Sequence, residues 1–388
     1  MNRYLLCNAL IVTGERAARG ALSICGDKIE GIRYYGENET GTGFVKEQQG
    51  GQAIDLEGKI LMAGGIDAHV HFREPGMTEK ADLRSESRAA LLGGITSFID
   101  MPNTNPPTID EKRLLEKIGL AQKCSYANFG FHIGATNGNY GQIASMLQNG
   151  KGELFGGIKL FLGSSTGNLL VDNDNSIDKL FRIKEKPSED ESVIKANLAA
   201  AKKIFGNDVP FSEHENIRSR TACIRSTAKA LELAIKYGTR LHILHISTAE
   251  EVDMIRTAKH FNQNITAETS ANYLYLSERD YSRLGCKMKC NPSIKAEKDR
   301  KHLWEGLKDG TIDTIGSDHA PHLLSEKERP YLEAPSGIPS VQQSLSLVLS
   351  MGKDLGIPIQ RIASAFSEKP AEIFGIVERG RLRPGQIA

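Results

Sequence analysis

The chain has 388 residues, with 49 Lys and Arg against 48 Asp and Glu, a formal net charge of +1. That balance excludes a nucleic acid or an anionic membrane surface held by bulk charge. Hydrophobic residues at 39% and charged residues at 25% exclude a largely disordered chain, and no apolar run reaches the length of a membrane span.

Residues 1–58 read as short strands and turns, with Tyr4–Ile11, Ala21–Ile24 and Lys28–Tyr34 as the strands. The opening MNRYLLCNALIVTGE has no small-residue cleavage site and reads as a strand rather than a leader. From Lys59 the pattern changes to apolar runs that alternate with helical periodicity. The runs are Ile60–Phe72, Ile95–Met101, Asn128–Ala135, Phe155–Leu162, Val209–His214, Leu241–Ile246, Ile265–Thr269 and Thr311–Ser317. Between them lie helices at Glu79–Leu92, Glu111–Ala121, Ser219–Tyr237, Ala249–Phe261 and Ala296–Leu307. Eight strands alternating with helices predict an α/β fold of the (β/α)8 barrel type over residues 59–365. A doubly wound sheet is the alternative, weakened because no G-x-G-x-x-G follows the first run. Asp172–Glu191, the most charged stretch, reads as a solvated excursion. Residues 366–388 read as a helix and then an extended GRLRPGQIA. They are expected to return to the N-terminal strands, making a small β-sandwich from both ends of the chain. A further strand would be natural where the sequence stops. The six cysteines are scattered, which predicts free thiols in a reducing cytoplasm.

The strongest chemical signal is GGIDAHVHFREPG, 64–76. Alternation along a strand puts Asp67, His69 and His71 on one face, and two imidazoles at i and i+2 can reach one metal ion. A single histidine there would read as a hydrogen-bonded core residue; His-x-His before Arg-Glu-Pro-Gly reads as a metal site. Four more polar residues fall at strand ends: Lys159, His214, His245 and Asp318. The C-terminal strand ends of a barrel form its active-site face, so these residues are expected to converge on one mouth. Lys159 lies among Ile158, Leu160 and Phe161, and desolvation there favours a neutral amine able to take up carbon dioxide as a carbamate. The plain alternative is a lysine that snorkels outward from a strand edge. An i, i+3 pair points to opposite faces of a strand, so of His242 and His245 only His245 is expected in the mouth. His132 is expected in the core, His260 and His302 at the surface, and His319 in the support of its loop. Asp318 combines possible metal ligation with proton transfer.

Taken together, HVHFREPG at 69–76, DMPNT at 100–104, the Lys159 run, the isolated His214 and His245, and GSDHAPH at 316–322 resemble the dihydroorotases, a branch of the amidohydrolase superfamily. The match runs from about Gly64 to about Pro339. The resemblance implies reversible hydrolysis of L-dihydroorotate to N-carbamoyl-L-aspartate, the ring-closing step of pyrimidine synthesis. It implies two divalent cations, zinc by expectation. One would be held by His69, His71 and Asp318, the other by His214 and His245, with Lys159 bridging as an N6-carboxylated side chain. Arg73 and Asn103 would hold the substrate carboxylate, with His322 and Asn291 as further substrate contacts. Gly163–Leu170 resembles a loop that closes over substrate, with Ser165 and Thr166 as candidate contacts; a plain surface turn is the alternative. Asp318 would be the catalytic proton carrier. A homodimer without nucleic acid or membrane partner is the corresponding expectation. Two features depart from the family. TSANYL at 269–274 stands where many relatives carry Pro-His-His, and the basic contact in KAEKDRK, 295–301, is not assignable to one residue. Arg73 with Asn103 favours a carboxylate-bearing ring over the allantoinase and hydantoinase alternatives. An inactive dihydroorotase-like scaffold, the alternative of another class, would have lost ligands that are all present here.

Overall fold

The computed structural model describes residues 1–36, 51–161, 169–182 and 191–388. Two compact units emerge, Met1–Ile66 with Leu349–Ala388, and Asp67–Val348. The units change at 66/67 and 348/349, where 58/59 and 365/366 are the expected boundaries, and the first apolar run splits. Its start, Ile60–Met62, pairs with the first strand of the small unit, and the barrel strand begins only at Gly65.

The small unit contains β1 (Arg3–Val12), β2 (Ala17–Cys25), β3 (Lys28–Tyr34), β4 (Gln52–Asp55) and β5 (Ile60–Met62). They form one sheet in the order β3-β2-β1-β4, with β5 also on β1. In β1 the alternation buries Leu5, Cys7, Ala9 and Ile11 on one face. Among the described residues the unit has a single sheet. The C-terminal segment contributes helical turns, from which Glu368 accepts the Gly14 N–H at 2.7 Å. The chain end pairs antiparallel with β3 through Lys28 and Ile387.

The large unit carries β6 (Gly65–Val70), β7 (Ile95–Asp100), β8 (Asn128–Phe131) continued by β9 (Ile133–Gly134), β10 (Ile158–Lys159), β11 (Leu241–Ile243), β12 (Ile265–Ser270) and β13 (Thr314–Gly316). Neighbours run β6-β7-β8, β9-β10 and β11-β12-β13. The eighth run closes on the first through a parallel bridge between Val70 and His319, where the His71 N–H donates to His319 O at 2.7 Å. This is the expected strand order of a (β/α)8 barrel. The fifth run is a correction: Val209–His214 is not a strand. Pro210 has no N–H for a ladder, and a 3-10 turn over Phe211–Glu213 leads into a helical turn at His214–Ile217.

The helices start where the sequence supplies caps. Asp82, Asp110 and Thr248 accept the N–H of Ser85, Arg113 and Glu251 ahead of helices Leu83–Leu92, Glu111–Cys124 and Ala249–Lys259. Helices Arg220–Tyr237 and Glu297–Asp309 stop at Gly238 and Gly310, both in the left-handed conformation that glycine adopts without strain. Ile66, Val70, Phe72, Phe98, Met101, Phe131 and Ile133 are almost wholly buried, each worth roughly 1.5–3 kcal/mol of transfer free energy. Among the described residues no helix is long and apolar enough to cross a membrane.

Candidate metal centre and anion pocket

Strand closure builds the centre. β6 turns Asp67 and His69 inward, and His71 follows directly after the strand. Asp318 comes two residues after β13, and the Asp67 carboxylate fastens the two segments by accepting the Ser317 N–H at 3.1 and 3.2 Å. His69 Nε2 lies 3.2 Å and His71 Nε2 3.3 Å from the same oxygen, Asp318 Oδ1. These three residues form a group able to hold a metal ion, with ligand atoms within 4.8 Å of one another.

The far side of each ring fixes what its Nε2 offers. His69 Nδ1 is 2.7 Å from Glu268 Oε1, and His71 Nδ1 is 2.7 Å from Asn103 Oδ1. Both partners are acceptors, so each neutral ring carries its proton on Nδ1 and aims the Nε2 lone pair at Asp318. Two lone pairs and a carboxylate oxygen at just over 3 Å repel one another unless a cation lies between them, so this donor set fits a divalent metal. Electrostatics follow the same geometry. Burial opposes ionisation of Asp318, but His69, His71 and His245 outweigh it and hold the carboxyl down at about 2. Burial also works against a charged His69 ring, yet Asp318 and Glu268 raise it above its usual value. Burial pushes Asp67 up to about 7.

His245 lies beside this group, its ring centroid 5.3 Å from that of His69. Burial first, then Lys159 and His69, lower its imidazole to about 3. Lys159 ends β10, is buried, and has its ammonium 4.7 Å from the centre of the Phe161 ring. His214 does not join the others. Its Nδ1 is 3.0 Å from the Tyr331 hydroxyl, its Nε2 2.8 Å from Cys290 O, and its ring stacks on Phe211. Burial, with Arg218 and Lys289 nearby, holds it well below the ordinary histidine value.

Arg73 and His322 meet as the sequence suggests, with Arg73 Nη2 2.9 Å from His322 Nε2. Arg73 is buried and donates through Nε to Pro321 O at 3.0 Å; burial lowers its guanidinium to about 10. Lys80 joins them, 3.2 Å from His322 Nδ1 and 3.0 Å from Glu326 Oε1. Asn103 presents its carbonyl oxygen to His71. Asn291 has a buried Oδ1 without a hydrogen-bond partner among the described residues. Ser165 and Thr166 lie outside the described residues. His132 is a core residue bonded to Ala68 O at 3.0 Å. His319 supports its loop, accepting from Ser340 N and Val341 N and meeting Glu86 Oε2 at 2.6 Å.

Sequence reasoning missed Glu268, Lys80 and Tyr331. A lone acid in the strand ITAETS was the available signal for Glu268. His242, expected on the opposite face from His245, is buried and lies 3.8 Å from Glu268 Oε2. β11 ends at Ile243, and His245 adopts φ 42°. Arg73 and Asp318 share that left-handed conformation, at 67° and 49°, a costly backbone state that collects at functional sites.

A parallel barrel whose closing strands bring two imidazoles and a carboxylate to one point is the framework of the amidohydrolases. The chain belongs to the amidohydrolase family, whose pattern matches residues 60–388. It is 37% identical over 340 residues to a dihydroorotase of Methanosarcina acetivorans, covering 84% of this chain and 71% of that one. It is 31% identical over 365 residues to a dihydroorotase of Halobacterium salinarum, covering 93% and 83%. Among solved structures, the L-hydantoinase (dihydropyrimidinase) from Arthrobacter aurescens superposes with a TM-score of 0.90 at 27% identity, over all of this chain and 86% of that one.

Proposed function

We propose that the protein is a dihydroorotase, interconverting L-dihydroorotate and N-carbamoyl-L-aspartate in pyrimidine synthesis. The observation that carries this reading is the pairing of the His69, His71 and Asp318 group with a buried Arg73 guanidinium beside His322. The relatives named dihydroorotase support it.

In this reading His69, His71 and Asp318 hold one divalent cation, zinc by donor type. Lys159 and His245 adjoin it; Lys159, if carboxylated at its amine, would offer oxygens to a second cation. His214 would complete that second site only by leaving Tyr331 and Cys290 O. When bound, such cations acidify water and polarise a carbonyl. The remaining work falls to the side chains. Arg73 holds the substrate carboxylate with its guanidinium fork, and His322 lies against the same ligand. Asn291 offers its unpartnered Oδ1 to a ring N–H. Asp318 takes the proton of the attacking water and passes it to the departing ring nitrogen; in ring closure the transfer reverses. A reducing cytoplasm suits the six unbonded cysteines, and a homodimer is the proposed assembly.

The test separates the carboxylate from the ring. Arg73→Ala removes a charged hydrogen bond worth about 1.5–3 kcal/mol, so KM for dihydroorotate should rise roughly 10- to 150-fold. Turnover of dihydrouracil, the same ring without the carboxylate, should be unaffected or improved relative to it. An unchanged KM for dihydroorotate would remove Arg73 from carboxylate binding.

A further inference from the structure

Glu268 has no part in the mechanism above, yet it is among the most deeply buried charged groups. It projects from β12 into the barrel interior with a side-chain exposure of 1%, and His69 beside it is at 2%. One oxygen, Oε1, is 2.7 Å from His69 Nδ1. The other, Oε2, faces His242 Nε2 at 3.8 Å, and the far nitrogen of that ring is 2.8 Å from Thr266 Oγ1 on the same strand as Glu268. A fourth strand makes the space: a Cβ at Gly316 would lie 2.7 Å from the Glu268 carboxyl carbon and 2.8 Å from both oxygens. Four strands, β6, β11, β12 and β13, therefore form a slot for this one carboxylate.

A neutral imidazole has one N–H and one lone pair, and an acceptor on one nitrogen leaves the lone pair on the other. An ionised carboxylate is an acceptor only. Its place opposite Nδ1 fixes the His69 proton there and turns Nε2 toward Asp318 Oδ1. Asn103 does the same for His71, with a neutral amide. The two rings are thus oriented by different chemistry, and the buried one receives the charged partner.

We propose that Glu268 is a positioning residue that sets the tautomer and angle of His69 for metal binding, with Gly316 kept bare to admit it. The inference rests on the proposed metal centre. A merely structural role would affect folding stability alone; a positioning role changes metal affinity in a protein that remains folded.

The experiment measures zinc affinity by competition with a chromophoric chelator, and thermal stability alongside, in the unaltered protein, Glu268→Ala, Glu268→Gln and Gly316→Ala. Loss of an outer partner of a ligating histidine weakens metal binding by roughly 10- to 100-fold, which is the expectation for Glu268→Ala. Glu268→Gln should bind with intermediate affinity, because its amide oxygen still accepts from Nδ1. Gly316→Ala should weaken binding by displacing the carboxylate. If Glu268→Ala does not fold, the other two variants decide. Folded variants that bind zinc like the unaltered protein, even with lowered thermal stability, would overturn the inference and leave the metal centre standing. Failure of the unaltered protein to bind zinc would overturn the metal centre and the inference with it.

Discussion

Replacing Lys117 by Met strikes a buried ion pair that supports the segment bearing His71. Lys117 and Asp100 are both at 0% side-chain exposure, with Nζ 2.6 Å from Oδ2. Lys117 also donates to Met101 O at 2.9 Å, and Asp100 Oδ1 accepts the Phe72 N–H at 2.8 Å. That last bond ties the end of β7 to the residue after His71. Methionine is near in length but leaves the carboxylate buried with one donor. Removing one partner of such a pair typically destabilises by about 3–5 kcal/mol. Urea unfolding followed by fluorescence suits the measurement, because Trp304 is the only tryptophan and is buried in the same unit. A loss below about 1 kcal/mol would refute this account of the pair.

Further outcomes follow from the site and its surroundings. Asp318→Asn should retain zinc through His69 and His71 yet lose turnover by at least about a hundredfold, as general acid–base groups contribute; metal content and kcat measured together check this, and retained turnover would exclude Asp318 as proton carrier. Tyr331→Phe removes the hydroxyl that holds His214 Nδ1. If His214 serves the second cation, that site should tighten by roughly 2- to 10-fold, the worth of one hydrogen bond, as read by zinc titration; no change would separate His214 from the metal centre. Lys327 donates to Lys289 O, Pro335 O and Gly337 O, and burial lowers its ammonium to about 8 from 10.5. Between those values the unfolded chain binds more protons than the folded one, so this lysine favours folding increasingly as pH rises through the window. The unaltered protein should gain on Lys327→Met by about 2–3 kcal/mol at most from pH 8 to pH 10.5; urea unfolding at both pH values checks it, and a constant difference would contradict it.

What the sequence revealed, and what it hid, divides by the range of the interactions. Alternation of apolar runs with capped helices is local, and it made seven of the barrel strands and their order legible. His69 and His71 are neighbours along one strand, so their approach follows from the two-residue period of that strand alone. The fifth run failed because Pro210 breaks a ladder, a local signal outweighed by the expectation of an eighth strand. Glu268 was hidden for a different reason. An acid in an apolar strand is unremarked until the partner appears, and His69 lies 199 residues away. The positive φ angles at Arg73, His245 and Asp318 belong to the tertiary setting, since none is a glycine. His214 shows the opposite case: the sequence marks it as a ligand candidate, yet Tyr331 and Cys290 O hold both its nitrogens.

The most direct measurement is turnover of L-dihydroorotate and of allantoin by the purified protein, with and without added zinc. The account predicts zinc-dependent ring opening of dihydroorotate and none of allantoin. Zinc-dependent turnover of allantoin alone would keep the metal centre and contradict the carboxylate pocket. Turnover of neither, with zinc demonstrably bound, would contradict the enzymatic reading and favour an inactive scaffold.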